Sequence, residues 1–241
     1  MKSILLITLS FAIQISAICQ QNFFNVPSSD ITLKNKFFFQ KQVNFLEKGL
    51  QSNTTISYGL GKKYEIGINL LDLNFTDKKI VFNTTSKPYT PIIALNFQKL
   101  LLIKEKIKFS LGSQIGSTKM KNICLYIYSN NVNYFKKYKT KLVTGIYYTN
   151  NDFWGSESRN ISEQKLFKKF GIQLGIEQNI WKEKILFQAD LISGKHKLGQ
   201  TVIGGAYCFK NGIILSGGYL LPLFKSLSEK AIVFELTLIP N

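Results

Sequence analysis

The sequence predicts an all-β protein: a transmembrane antiparallel up-and-down β-barrel of about twelve strands, following an N-terminal signal peptide. Three observations carry this expectation. The stretch Phe170 to Ile180 alternates, with Phe170, Ile172, Leu174, Ile176 and Ile180 on one face and Gly171, Gln173, Gly175, Glu177 and Asn179 on the other. A period of two sends successive side chains to opposite faces of a strand, and the stretch has the length a tilted strand needs to cross a bilayer, about 9–11 residues. Its polar face holds glycine and amides rather than the Lys/Glu mixture of a solvated sheet. Second, one short apolar leader opens the chain, and no later segment approaches the roughly 18 apolar residues of a membrane helix, so any later crossing uses strands. Third, the connections alternate between short and long, as periplasmic turns and extracellular loops do in such barrels.

Taken in order, residues 1–19 read as a secretory signal peptide. Lys2 is its positive start, Ile4 to Ile15 its apolar core and Ala17-Ile18-Cys19 its cleavage pattern. Read instead as a lipoprotein signal, the leader would make Cys19 the acylated residue, with Ile18 where such signals place a small one. Residues 20–35 are irregular, with a turn signal at Pro27-Ser28-Ser29-Asp30. They form either a periplasmic lead or a small plug reaching into the lumen. The barrel itself occupies residues 36–241.

Its first strand is Lys36 to Phe45, where Phe37, Phe39, Val43 and Phe45 are apolar and Lys41 interrupts the lipid face, by snorkelling or at a bulge. Ser52 to Leu60 and Tyr64 to Leu71 follow, joined by a tight turn at Gly61-Lys62-Lys63, and a long loop runs from Asp72 to Thr90. Pro91 to Lys99 and Ile107 to Gly116 make the next pair. Ile123 to Asn133 carries tyrosines on both faces, and Thr140 to Thr149 leads into a second long loop, 150–166. Phe170 to Ile180 turns at Trp181–Lys184 into Ile185 to Ser193. Gln200 to Phe209, Ile213 to Leu221 and Ala231 to Ile239 complete the even count expected of a single-chain barrel. Tyr58, Tyr64, Phe97, Tyr134, Trp181, Tyr207 and Phe209 collect beside the short turns, as an interfacial aromatic girdle would. A secreted β-sandwich also alternates, but its strands do not combine this length, this amide-rich face and such a girdle.

Lys and Arg number 31 against 14 Asp and Glu, for a net charge of +17. The lysines cluster at turns and loops without any nucleic-acid-binding pattern, so the expected partner is lipid headgroups rather than nucleic acid. Cys124 and Cys208 show no metal-ligand spacing. The lone histidine, His196, lies in a Lys195-His196-Lys197 loop read as exposed and outside the cell, with no nucleophile motif around it. Neither an enzyme activity nor a cofactor is expected.

The inward charges are Glu65, Lys108, Lys141, Glu177, Asp190 and Glu235. If Ile180 pairs with Ile185, Gly175 faces Asp190 and Glu177 faces Gln188, which makes the two carboxylates diagonal neighbours. Two such groups repel unless a cation lies between them, a place Lys108, Lys141 or a solute could fill. The expectation is an acidic constriction favouring cationic or neutral polar solutes. A salt-bridge network that merely satisfies the lumen is the alternative.

The stretches Asn22-Phe23-Phe24-Asn25-Val26-Pro27, Phe37-Phe38-Phe39-Gln40, Lys87-Pro88-Tyr89 and Asp190-Leu191-Ile192-Ser193-Gly194 resemble an uncharacterised family of outer-membrane barrels of Bacteroidota. More distantly, they resemble transporter-like barrels associated with phenol degradation. The chain departs from the aromatic ending frequent in such barrels by finishing Leu238-Ile239-Pro240-Asn241. The resemblance implies a location in the outer membrane, and the polar, partly acidic lumen of a barrel of intermediate size gives the expected function, a passive channel or facilitator for small solutes. A non-conducting barrel working through its extracellular loops is the second reading, and a lipid-modifying enzyme the least supported.

Overall fold

A computed structural model describes residues 22–76, 79–83, 90–103, 107–118, 122–150, 169–224 and 228–240. The expected signal peptide, the Lys87-Pro88-Tyr89 stretch and most of the 150–166 loop lie outside these residues. The strands are β1 (Phe37–Leu46), β2 (Gly49–Gly61), β3 (Tyr64–Thr76), β4 (Lys79–Val81), β5 (Ile92–Ile103), β6 (Ile107–Thr118), β7 (Asn122–Phe135), β8 (Thr140–Thr149), β9 (Phe170–Trp181), β10 (Ile185–Ile192), β11 (Gln200–Cys208), β12 (Ile213–Pro222) and β13 (Ala231–Leu238). Each pairs antiparallel with its neighbour, and β1 closes on β13 with Phe39 opposite Leu238 and Leu46 opposite Ala231. Only β4 stands outside the ring, paired with Asn74–Thr76 of β3. The expected twelve-strand barrel is therefore present.

Closure satisfies the main-chain donors and acceptors that an open sheet leaves at its edges. The pairing register drifts by about 14 residues over one circuit, which corresponds to a strand tilt of roughly 40°. The connections at one end are all short, at 62–63, 104–106, 136–139, 182–184 and 209–212. The opposite end has the short turn at 47–48 as well as the longer connections. We call these the turn end and the loop end. At three of the tight turns two successive residues have positive φ, Lys62-Lys63, Lys182-Glu183 and Asn211-Gly212. That is the geometry a two-residue hairpin needs to follow the strand twist.

The alternation sorts the side chains as the sequence predicts. Ile68, Leu95, Ile146 and Ile180 point outward and are each more than half exposed, while Gln40, Asn69, Gln98, Asn130, Gln173 and Gln188 point inward and are buried. A protein greasy outside and polar inside inverts the arrangement of a water-soluble domain, which excludes the β-sandwich. Exposed and half-buried aromatics ring the turn end, among them the ring pairs Phe37–Tyr58 at 4.8 Å, Tyr64–Phe97 at 5.8 Å and Tyr207–Phe209 at 4.7 Å. Lys41 causes no bulge. Its register with both neighbours is unbroken, and its Nζ donates to Thr54 Oγ1 on the facing strand at 2.8 Å.

Two expectations change. The loop placed at Asp72 begins later, because β3 continues to Thr76 and turns back as β4. The tyrosines of β7 do not divide between faces within the ring. Tyr126 and Tyr128 both point inward and are buried, while Tyr134 lies exposed at the turn end.

Candidate functional site

Side chains alone fill a ring of about eight strands, and rings of sixteen or more leave water-filled channels. In this ring of intermediate size, the extra space is shared between a segment of the chain and a cavity.

That segment is residues 22–36. It enters from the turn end, where Asn35 N–H donates to the Gly59 carbonyl at 2.8 Å and Gly59 N–H to Lys36 at 3.1 Å. It climbs the lumen and folds back on itself at the tip, where Asn22 bridges Pro27 and Phe23 N–H reaches the Val26 carbonyl at 3.0 Å. Phe23, Phe24, Val26, Ser28 and Ser29 are buried against the wall. We call this lumenal segment, which includes the described part of residues 20–35, the plug.

Glycines on the inward face make room for its two phenylalanines. A Cβ on Gly175 would lie 2.7 Å from the Phe23 ring, and one on Gly218 would lie 3.0 Å from that of Phe24. Lys141 Nζ lies 5.2 Å from the Phe23 ring centroid.

The inward charges expected from the sequence largely converge on this segment. Asp190 Oδ2 accepts the N–H groups of Asn25 at 2.5 Å and Val26 at 3.1 Å, and Oδ1 accepts that of Val202 at 3.2 Å. Glu65 Oε2 accepts both the N–H and the hydroxyl of Thr32, each at 2.6 Å. Lys141 and Lys108 pair with Asp30 at 2.6 and 2.8 Å. Glu177 faces Gln188, whose Nε2 donates to it at 3.0 Å, and Glu235 accepts a bond from the Thr237 hydroxyl at 3.4 Å. The expected register holds, with Asp190 opposite Gly175, although a bulge at Ile185 pairs that residue with Trp181 rather than Ile180. Both lysines go to Asp30. Burial alone would raise the Asp30 carboxyl, but the ammonium groups of Lys141 and Lys108 outweigh it and hold the group well below the usual carboxylate range.

Sequence reasoning missed Asp30, since the residue reads there only as part of a turn signal. The available hint was an apolar Phe-Phe-Asn-Val run just after the expected leader, facing a wall with glycines at inward positions. Two of the four resembling stretches, Asn22–Pro27 and Asp190–Gly194, meet through the hydrogen bonds on Asp190.

His196 is corrected from exposed to buried. Residues 193–199 fold inward over the loop end, where Leu198 is buried and Lys197 pairs with Asp72 at 2.7 Å. The Tyr147 hydroxyl donates to the Ser193 carbonyl and lies 2.6 Å from His196 Nε2. Since that hydroxyl has one proton, Nε2 is the donor in the second bond. His196 Nδ1 is then left buried without a partner. Burial lowers the imidazole pKa from 6.5 to about 4.

Beside the plug, against β1 to β6, lies a cavity with about 140 Å³ open to the centres of water molecules. Its wall carries Gln40, Gln42, Asn44, Gln51, Asn53 and Asn96. Among the described residues no group of His, Cys, Asp and Glu could hold a metal ion, and Cys124 and Cys208 are buried. No protein-family model matches the chain, and it matches no curated protein.

Proposed function

We propose that this chain is an outer-membrane barrel that passes small polar solutes through the part of its lumen left open beside the plug. Residues 1–19 would direct it across the inner membrane, and the turn end would face the periplasm. The outward apolar belt and the aromatic ring at the turn end support the membrane setting, since apolar faces of this extent exposed to water would aggregate. The observation that carries the conduit reading is the polar cavity beside residues 22–32. A sealed barrel would pack wall and plug together all round, whereas here the apolar packing is confined largely to one side and the contacts with β1 to β6 are separate polar ones beside a cavity, among them Asn22–Gln40, Thr32–Glu65 and Asp30–Lys108. The anchors of the plug favour a second reading, a non-conducting barrel whose loops do the work. Asp30 and Asp190 tie the segment to both halves of its length.

Planar-bilayer recording separates the two. The mature chain is expected to give small steps, and a chain starting at Lys34 steps several times larger. Absence of steps from both, with folding verified by heat-modifiable gel migration, would establish the sealed barrel.

A further inference from the structure

We propose that the cavity between the plug and β1 to β6 is a binding site for a neutral polyhydroxylated solute, a sugar or polyol of monosaccharide size. This deepens the conduit reading by naming its solute class, and it rests on the same half-open lumen.

Gln40 supplies the first argument, an unused donor. It is buried on β1 and lines the cavity, and its Oε1 accepts from Asn22 Nδ2 at 2.9 Å, yet its buried Nε2 has no partner, so a turn of the side chain would be needed to offer that donor to a ligand. A buried amide donor without a partner costs free energy that an incoming acceptor recovers.

The second argument is the chemistry of the wall. Amides that line it are already held in place by one another. Asn44 Nδ2 donates to Gln51 Oε1 at 2.9 Å and Asn96 Nδ2 to Asn69 Oδ1 at 2.6 Å. Each primary amide has two donors and an acceptor with two lone pairs. A row of them therefore offers donors and acceptors at close spacing, which matches adjacent hydroxyls that both give and take hydrogen bonds.

The third is charge. The acids at the cavity margin are engaged by the protein: Asp30 with Lys108 and Lys141, Asp72 with Lys197, and Glu65 with Thr32. These three carboxylates and the three lysines sum to no formal net charge, so nothing at this margin favours an anion or a cation over a neutral ligand. Tyr126 and Tyr128, on the far side of the cavity, supply aromatic surface for the C–H face of a sugar ring. The volume fits a solute rather than an isolated water, being roughly ten times what one buried water requires.

The test is equilibrium binding to the mature chain folded in a detergent without a sugar headgroup, followed by saturation-transfer NMR. The probes are glucose, glucuronate and glucosamine, pyranoses of similar size that differ in charge. Saturable binding of glucose, with the charged probes at least about tenfold weaker, is the expected result. Gln40→Leu should weaken glucose binding about tenfold, and Ser216→Ala on the opposite wall should leave it unchanged. Equal or tighter binding of a charged probe, or no saturable glucose binding to the folded wild type, overturns the inference. Binding needs no passage, so conductance without glucose binding defeats this inference alone, whereas binding without conductance defeats the conduit alone.

Discussion

The two sides of the lumen wall obey the same alternation and are filled differently. From β7 to β13 the inward positions include Tyr126, Tyr128, Val132, Val143, Tyr147, Val202, Ala206, Ile214 and Val233, and the apolar tip of the plug packs against several of them. From β1 to β6 the inward positions are mostly amides and hydroxyls, among them Gln40, Gln42, Asn44, Ser57, Asn69, Asn96 and Gln98, and a cavity lies in front of them. Of the apolar inward residues on that side, Ile92 and Ala94 sit toward the loop end and join the far cluster, while Phe38 lies toward the turn end and lines the cavity. The contrast shows how a barrel too wide to fill with side chains divides its space. An apolar segment packs where the wall is apolar, because burying surface there is favourable at about 25 cal/mol per Å². Water or solute remains where every wall group wants a hydrogen bond.

This contrast can be broken most severely at the ion pairs. Lys141→Met removes a buried cation and leaves Asp30 with Lys108 alone, at an expected cost of about 3 kcal/mol in plug docking. Faster hydrogen exchange at residues 22–32 would report it, and Asp30→Asn in the same chain should recover part of the loss. Next is acidification at the loop end. The folded state keeps His196 neutral down to about pH 4, whereas an undocked loop titrates near 6.5. Docking of residues 193–199 is therefore at full strength above pH 6.5 and weakens as pH falls toward 4, by up to about 3 kcal/mol. Exchange rates of the 193–199 amides between pH 7 and 4 should follow that curve, and His196→Phe should flatten it. A smaller effect comes from Gly175→Ala, whose methyl would press on the Phe23 ring and cost about 1–3 kcal/mol in thermal stability. The smallest is expected on the wet side. Asn96→Ser removes the bond to Asn69, but water in the cavity replaces it, so stability should change by less than about 1 kcal/mol in a denaturant melt. A large loss there would mean that the amide wall is packed core like the other side, and the comparison would collapse.

Local pattern carried far in some places and no distance in others. The register that sets Asp190 opposite Gly175 was readable because a period of two and a short turn leave few ways to pair β9 with β10. Even the bulge at Ile185 left that register intact. The tyrosines of β7 were ambiguous because an aromatic with a hydroxyl suits lipid interface and lumen equally. Their placement depends on Gln173 and Gln98, which accept their hydroxyls at 2.7 Å from other strands. His196 was misread because two flanking lysines look like a solvated loop. What buries it is Tyr147, about fifty residues away, and the pairing of Lys197 with Asp72, neither visible locally. Asp30 escaped notice for the same reason, since its two partners lie on β6 and β8.

By itself, then, the sequence determined the strands, the side of the sheet each residue faces and the polarity of the two surfaces, because these follow from a two-residue period acting within single segments. Only the tertiary structure decided that residues 22–36 occupy the lumen, that the inward acids and lysines hold them there and that an amide-lined space remains opposite. Those outcomes depend on the ring's diameter and on which strands closure brings face to face, and both are properties of the whole circuit rather than of any one stretch.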